Sequence, residues 1–134
     1  MIYPTFKCFF LNQPYLENEL YRAVLRDQLQ VNEGMLVENV VAQCLKANGH
    51  RAYYYAERNP ETRKTTMEID FLIRQGKKIV PIKVKSSGSS SIKSLVRFKK
   101  KFGKRIGEAI VLHHGEIKRQ DDVWYLPYYM ATLL

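Results

Sequence analysis

The stretch Met67-Glu-Ile-Asp-Phe-Leu-Ile-Arg-Gln-Gly-Lys-Lys-Ile-Val-Pro-Ile-Lys-Val-Lys constrains the fold more than any other part of this chain. Two β-prone apolar runs are joined only by Gln75-Gly76, a link short enough for an antiparallel turn and too short for a crossover. In the first run, Met67, Ile69, Phe71 and Ile73 alternate with Glu68, Asp70 and Leu72, which predicts two distinct faces. In the second, Lys78 to Lys85, the residues Val80, Ile82 and Val84 point one way while Lys83 and Lys85 share the other face. The polar segment Ser86 to Ser91 reads as a loop ending in a helix cap. Ile92 to Phe102 reads as an amphipathic helix with Ile92, Leu95, Phe98 and Phe102 toward a core. A hairpin followed at once by such a helix implies a sheet covered by helices.

The flanking sequence extends that pattern. Phe6 to Leu11 is a short apolar run closed by Pro14, and Glu17 to Leu29 carries Leu20, Tyr21, Val24 and Leu25 on one helical side. Asn32 can cap a further helix over Glu33 to Ala47, which Asn48-Gly49 stops. The aromatic run His50 to Glu57 is β-prone and ends before Asn59-Pro60. After Gly107, Glu108 to His113 reads as a buried strand. Val123 to Leu134 is strand-like at first and open to either reading after Pro127. The expected architecture is α/β, a mixed sheet flanked by helices with the core order αβββαβ.

A chain of 134 residues with 46% hydrophobic and 26% charged residues is one globular domain. Cys8 and Cys44 have no paired metal-ligand spacing, which excludes a disulfide scaffold and points to a reducing compartment. The N-terminal residues lack the pattern of a secretory leader. The longest uncharged apolar stretch, Val123 to Leu134, falls short of the roughly 20 residues that span a bilayer. The expectation is a soluble cytoplasmic protein without a membrane partner.

The net charge is +9, and its distribution matters more than its size. Between Arg63 and Arg105 stand fourteen Lys/Arg and two acids, Glu68 and Asp70, whereas the rest of the chain is slightly acidic. Within that block Lys93, Arg97, Lys100, Lys101 and Lys104 recur at helical spacing and predict one basic stripe. Such a stripe suits nucleic-acid phosphates and reads no base sequence.

Phosphodiester hydrolysis with Mg²⁺ needs clustered carboxylates and a nearby lysine. The candidates are Asp70 on the first strand of the hairpin, Lys85 on the second, and Glu38 in the preceding helix. Gly34-Met-Leu-Val-Glu-Asn, Glu68-Ile-Asp-Phe, Pro81-Ile-Lys-Val-Lys-Ser and Ser94-Leu-Val-Arg-Phe occur in that order. Together they resemble the PD-(D/E)xK nuclease superfamily. More closely, they resemble a C-terminal domain of unknown function found in prokaryotic AAA-type ATPases. The resemblance implies a restriction-endonuclease-like fold, with Glu38 and Asp70 as metal ligands and Lys85 beside the attacking water. It also implies an ATPase module upstream in the parent protein. This chain has no G-x-x-x-x-G-K-[ST] segment that could cradle ATP.

The departure from the pattern falls on one residue. Where the resemblance calls for the glutamate of ExK, this chain has Lys83. A charged lysine donates hydrogen bonds and cannot ligate a metal, so an ion pair of Lys83 with Asp70 or Glu38 is expected in place of the cation. The resulting expectation is a vestigial, catalytically impaired nuclease domain that needs no cofactor and binds nucleic acid or a protein partner. Two other readings stay open. An active Mg²⁺-dependent endonuclease could use Glu38, Asp70 and Glu68 with Lys85. An interaction domain could use the aromatics of Tyr53-Tyr54-Tyr55 and Trp124-Tyr125. His113-His114 reads as a strand end.

Overall fold

The computed structural model describes residues 2–4, 33–85 and 90–134. The strand expected over residues 6–11, the helix over 17–29, the Asn32 cap and residues 86–89 of the Ser/Gly loop lie outside the described residues.

The elements in chain order are β1 (Ile2–Pro4), α1 (Glu33–Ala47), β2 (Tyr53–Arg58), β3 (Thr65–Gln75), β4 (Lys78–Val84), α2 (Ser90–Phe102), β5 (Ala109–His113), β6 (Lys118–Gln120) and β7 (Val123–Pro127). Short 3-10 turns follow α2 at Gly103–Arg105 and β7 at Tyr128–Leu133. From α1 to β5 the order is the expected αβββαβ, and the class is α/β. Among the described residues the strands form one mixed sheet of seven, in the order β1-β2-β3-β4-β5-β7-β6. The pairs β4–β5 and β5–β7 are parallel, and every other neighbouring pair is antiparallel. No described helix is long and apolar enough to cross a membrane.

Each face of the sheet is closed by its own core. On one side, Val41 and Leu45 of α1 pack with Phe71, Ile73, Val80, Ile82, Leu112 and Ala131. The i, i+4 spacing of Val41 and Leu45 places both on the buried stripe of the helix. On the other side, Leu95 and Phe98 of α2 pack with Tyr55, Met67, Ile69, Leu72, Val111 and Tyr125. Burying each such Leu or Phe side chain stabilises the fold by roughly 1.5–3 kcal/mol. Helix α1 ends as expected: Gly49 turns at φ 82°, and the His50 amide donates to Leu45 O at 2.9 Å.

The simple alternation expected along Met67–Arg74 is broken. Tyr55 pairs with Ile69 and Tyr53 with Leu72, so two residues of β2 span three of β3. That extra residue is a β-bulge, and it reverses the sides that follow. Phe71 and Ile73 join the α1 core, whereas Leu72 joins Met67 and Ile69 in the α2 core. Strict period-2 reading cannot anticipate a bulge. Leu72 therefore does not share a face with Glu68 as expected.

Smaller differences have local causes. Helix α2 begins at Ser90, two residues ahead of expectation. The segment after Pro127 winds into a 3-10 turn, with Ala131 buried against α1. Strand β6 has no apolar alternation to announce it, because all three of its residues are exposed. It forms a hairpin with β7 through Asp121 and Asp122, both at positive φ (50° and 60°), a geometry that suits short Asp turns.

Candidate functional site

The backbone ladder between β3 and β4 runs from the Gln75–Lys78 pair to the Phe71–Ile82 pair and goes no further. Where the strands part, the Asp70 side chain takes over from the backbone. Its Oδ2 accepts the Val84 amide at 2.7 Å, and its Oδ1 accepts a hydrogen bond from Lys83 Nζ at 3.2 Å. Asp70 is 3% exposed and Lys83 9% exposed. The bulge beside Asp70 permits this insertion, because it lets the strand diverge without stranding the Val84 amide. The ion pair expected between Lys83 and Asp70 is therefore present, and it is buried. Charges removed from water in this way must be matched, since an unmatched partner carries a desolvation penalty of several kcal/mol.

The same geometry decides whether a divalent cation fits. Mg²⁺ takes about six oxygen ligands in a near-octahedral arrangement. Of the two Asp70 oxygens, one faces a backbone amide and the other an ammonium that no cation can approach closely. Among the described residues, no group of three or more His, Cys, Asp or Glu side chains lies together to hold a metal. Glu38, Glu68 and Asp70 thus do not assemble the shifted carboxylate site of the endonuclease reading. As these side chains are placed, both Asp70 oxygens already face hydrogen-bond donors.

The remaining candidates lie on α1, on β3 and at the end of β4. Glu38 is half-buried on α1 beside the buried Asn39. Glu68 is half-buried on β3, where its amide donates to Ser94 Oγ at 3.4 Å. Lys85 follows β4 directly: its amide extends the parallel ladder to Leu112 O at 2.8 Å, and its carbonyl accepts the Tyr128 hydroxyl. Burial raises the Tyr128 hydroxyl above its ordinary pKa. This tie between the last 3-10 turn and the end of β4 left no signal in the sequence, because Tyr128 lies beyond Pro127, where the sequence is open to either reading.

Helix α2 explains the Ser-Leu-x-x-Phe segment structurally. Ser94 receives the Glu68 amide, while Leu95 and Phe98 are buried at 0% and 1% exposure. The outer face carries Lys93, Arg97, Lys100 and Lys101, all exposed, with Lys104 exposed in the turn beyond. The stripe is not uniform. At about 100° per residue, Lys93, Arg97 and Lys100 fall within about 60° of arc, and Lys101 lies about 80° from Lys93. That offset brings Lys101 over β2, where Nζ meets Glu57 Oε2 at 3.0 Å and Tyr55 Oη at 3.3 Å. Arg97 donates to Thr66 O at 3.2 Å, and no described carboxylate pairs with its charge. Lys99, outside the expected stripe, donates to Asp122 O at 3.2 Å and fastens the β6–β7 hairpin to the helix. His113 ends β5 and bonds Glu116 O at 3.1 Å, as suits a strand end.

Fold and site define a mixed α/β domain whose central strands are joined by a buried carboxylate–ammonium pair. Residues 33–130 match the family described as Domain of unknown function (DUF4143), and the chain belongs to that family. No curated protein and no solved structure matches the chain.

Proposed function

We propose that this chain is a nuclease-fold accessory domain of an AAA-type ATPase, with its metal site closed, that binds nucleic-acid phosphates through α2. One observation carries the first half of the reading: Lys83 Nζ stands 3.2 Å from Asp70 Oδ1, where a hydrolase would need a cation. The carboxylate is retained and its second oxygen serves the strand, so the fold keeps Asp70 without needing its chemistry. The remaining half is supported by the charge of α2. Lys93, Arg97, Lys100 and Lys104 are exposed, and among the described residues none of them is ion-paired. Such cations contact phosphates and release counterions.

The test is duplex affinity as a function of salt. Four phosphate contacts give a slope of log affinity on log salt of about −3.6. Replacing Lys93 and Lys100 by Glu flattens that slope and weakens binding for every sequence alike. Affinity that stays constant as salt rises removes the phosphate-contact half. Plasmid nicking in Mg²⁺ or Mn²⁺ that Asp70→Asn abolishes removes the other half and restores the endonuclease reading.

A further inference from the structure

A second cationic surface lies at the turn of the β3–β4 hairpin, at the other end of these strands from Asp70. There a cleft of about 510 Å³ is lined by Tyr53, Leu72 and Ile79 together with Arg74, Lys77 and Lys78. An adjoining hollow shares Tyr53 and Arg74 and adds Arg51. Among the described residues, no Asp or Glu lines either one. Arg51, Arg74, Lys77 and Lys78 form no ion pair with a described residue. The Arg74 Nε hydrogen bond to Gly76 O, at 2.8 Å, leaves its charge uncompensated.

The aromatic residue in this cleft is placed differently from its neighbour. Tyr53 precedes Tyr55 by two positions on β2, and its cross-strand partner Leu72 belongs to the α2 core. Tyr55 is spent on packing against Phe98 and Phe102. Tyr53, by contrast, is 36% exposed and stacks on no described ring. The cleft is also joined to the end of α2. Ile79 bridges Ile106, and the Gly107 amide donates to Ile79 O at 2.8 Å, so the exposed Lys104 and Arg105 lead toward the hairpin.

We propose that this cleft holds a single-stranded nucleic-acid segment, with a base stacked on the Tyr53 ring and the neighbouring phosphates on Arg51, Arg74, Lys77 and Lys78. Cations beside an accessible aromatic ring are the two components of sequence-tolerant single-strand binding. A duplex keeps its bases stacked inside and offers none to the ring. An acidic protein would use the cations and leave the ring idle. The proposal goes beyond the α2 reading: it adds a second surface and the form of the ligand, and it can stand or fall separately.

The experiment compares a fluorescent oligothymidylate with a duplex of equal length, titrated with the full chain and its variants. Tyr53→Ala lowers oligothymidylate affinity about tenfold, the effect of losing one base–aromatic stack, and changes duplex affinity less than about twofold. Tyr53→Phe, which keeps the ring, binds like the parent. Lys77→Glu, at an exposed position where folding is not at stake, weakens the oligothymidylate as well. A bromodeoxyuridine oligonucleotide crosslinks on irradiation to the peptide containing Tyr53. Unchanged oligothymidylate binding in Tyr53→Ala and Lys77→Glu, with both ligands weakened by replacing Lys93 and Lys100, overturns the cleft and leaves the α2 reading standing. The reverse pattern overturns the α2 reading alone. Failure of the parent chain to bind either ligand overturns both.

Discussion

Lys83 stands 3.2 Å from Asp70, and Lys101 stands 3.0 Å from Glu57. The chemical groups are the same and the spacing nearly so, yet the surroundings differ. The side chains of the first pair are 11% and 4% exposed, those of the second 48% and 41%. In the interior, each charge depends on the other to offset its lost hydration. On the surface, water and salt do that work, and the pair adds little. The buried pair also holds a backbone amide, whereas the exposed pair adds only the Tyr55 hydroxyl. Distance alone therefore says little about what an ion pair contributes.

The largest effect is expected from splitting the buried pair. Lys83→Ala leaves Asp70 charged without a partner and lowers unfolding free energy by about 3–5 kcal/mol, read from urea denaturation. Combining Lys83→Met with Asp70→Asn removes both charges and keeps an acceptor for the Val84 amide. That double variant loses much less than the sum of its parts, and additive losses would refute the coupling.

Next in size is conversion rather than removal. Lys83→Glu sets two carboxylates together, which lowers stability in chelator. Adding Mg²⁺ or Mn²⁺ restores about 1.4 kcal/mol of stability when the ion is at ten times its dissociation constant, read as a rise in the melting midpoint. The parent chain shows no such response. A variant indifferent to both ions contradicts the proposed descent of this site.

The smallest effects belong to the exposed pair. The hydrogen bond from Lys101 holds the Glu57 carboxyl below its ordinary value, against an opposing effect of desolvation and with the Lys101 charge adding to it. The hydrogen bond to Glu57, then that to Tyr55, holds the Lys101 ammonium above its ordinary value. The pair's contribution is therefore full between the ordinary carboxylate and lysine values. It is lost as pH falls through the depressed Glu57 value or rises through the elevated Lys101 value. Carboxyl NMR titration of Glu57 shows the depressed midpoint returning toward normal in high salt. Glu57→Gln leaves the denaturation midpoint unchanged within error.

Much of this arrangement was legible in the sequence, for reasons the structure makes plain. Helix α1, the β3–β4 hairpin, α2 and β5 each bury a periodic face, and periodicity is what sequence displays. The Lys83–Asp70 contact was legible because the two residues lie across a short hairpin. What escaped depends on geometry between elements. The bulge opposite Tyr54 has no residue signature, yet it moves Leu72 to the other core. Strand β6 is wholly exposed, so nothing in its composition marks it as a strand. Lys101 counts as one more cation until the helix angle turns it onto Glu57. The open ring of Tyr53 could not be told from its packed neighbours in a run of three tyrosines.

Under the proposed nuclease reading, the amide of Val84 bears on how a working domain is told from a silent one. Because that N–H must be met by something, an aspartate opposite it is worth keeping on architectural grounds alone. Its presence is then uninformative about whether bonds are cut. Position 83, which owes nothing to the backbone, is the one to inspect.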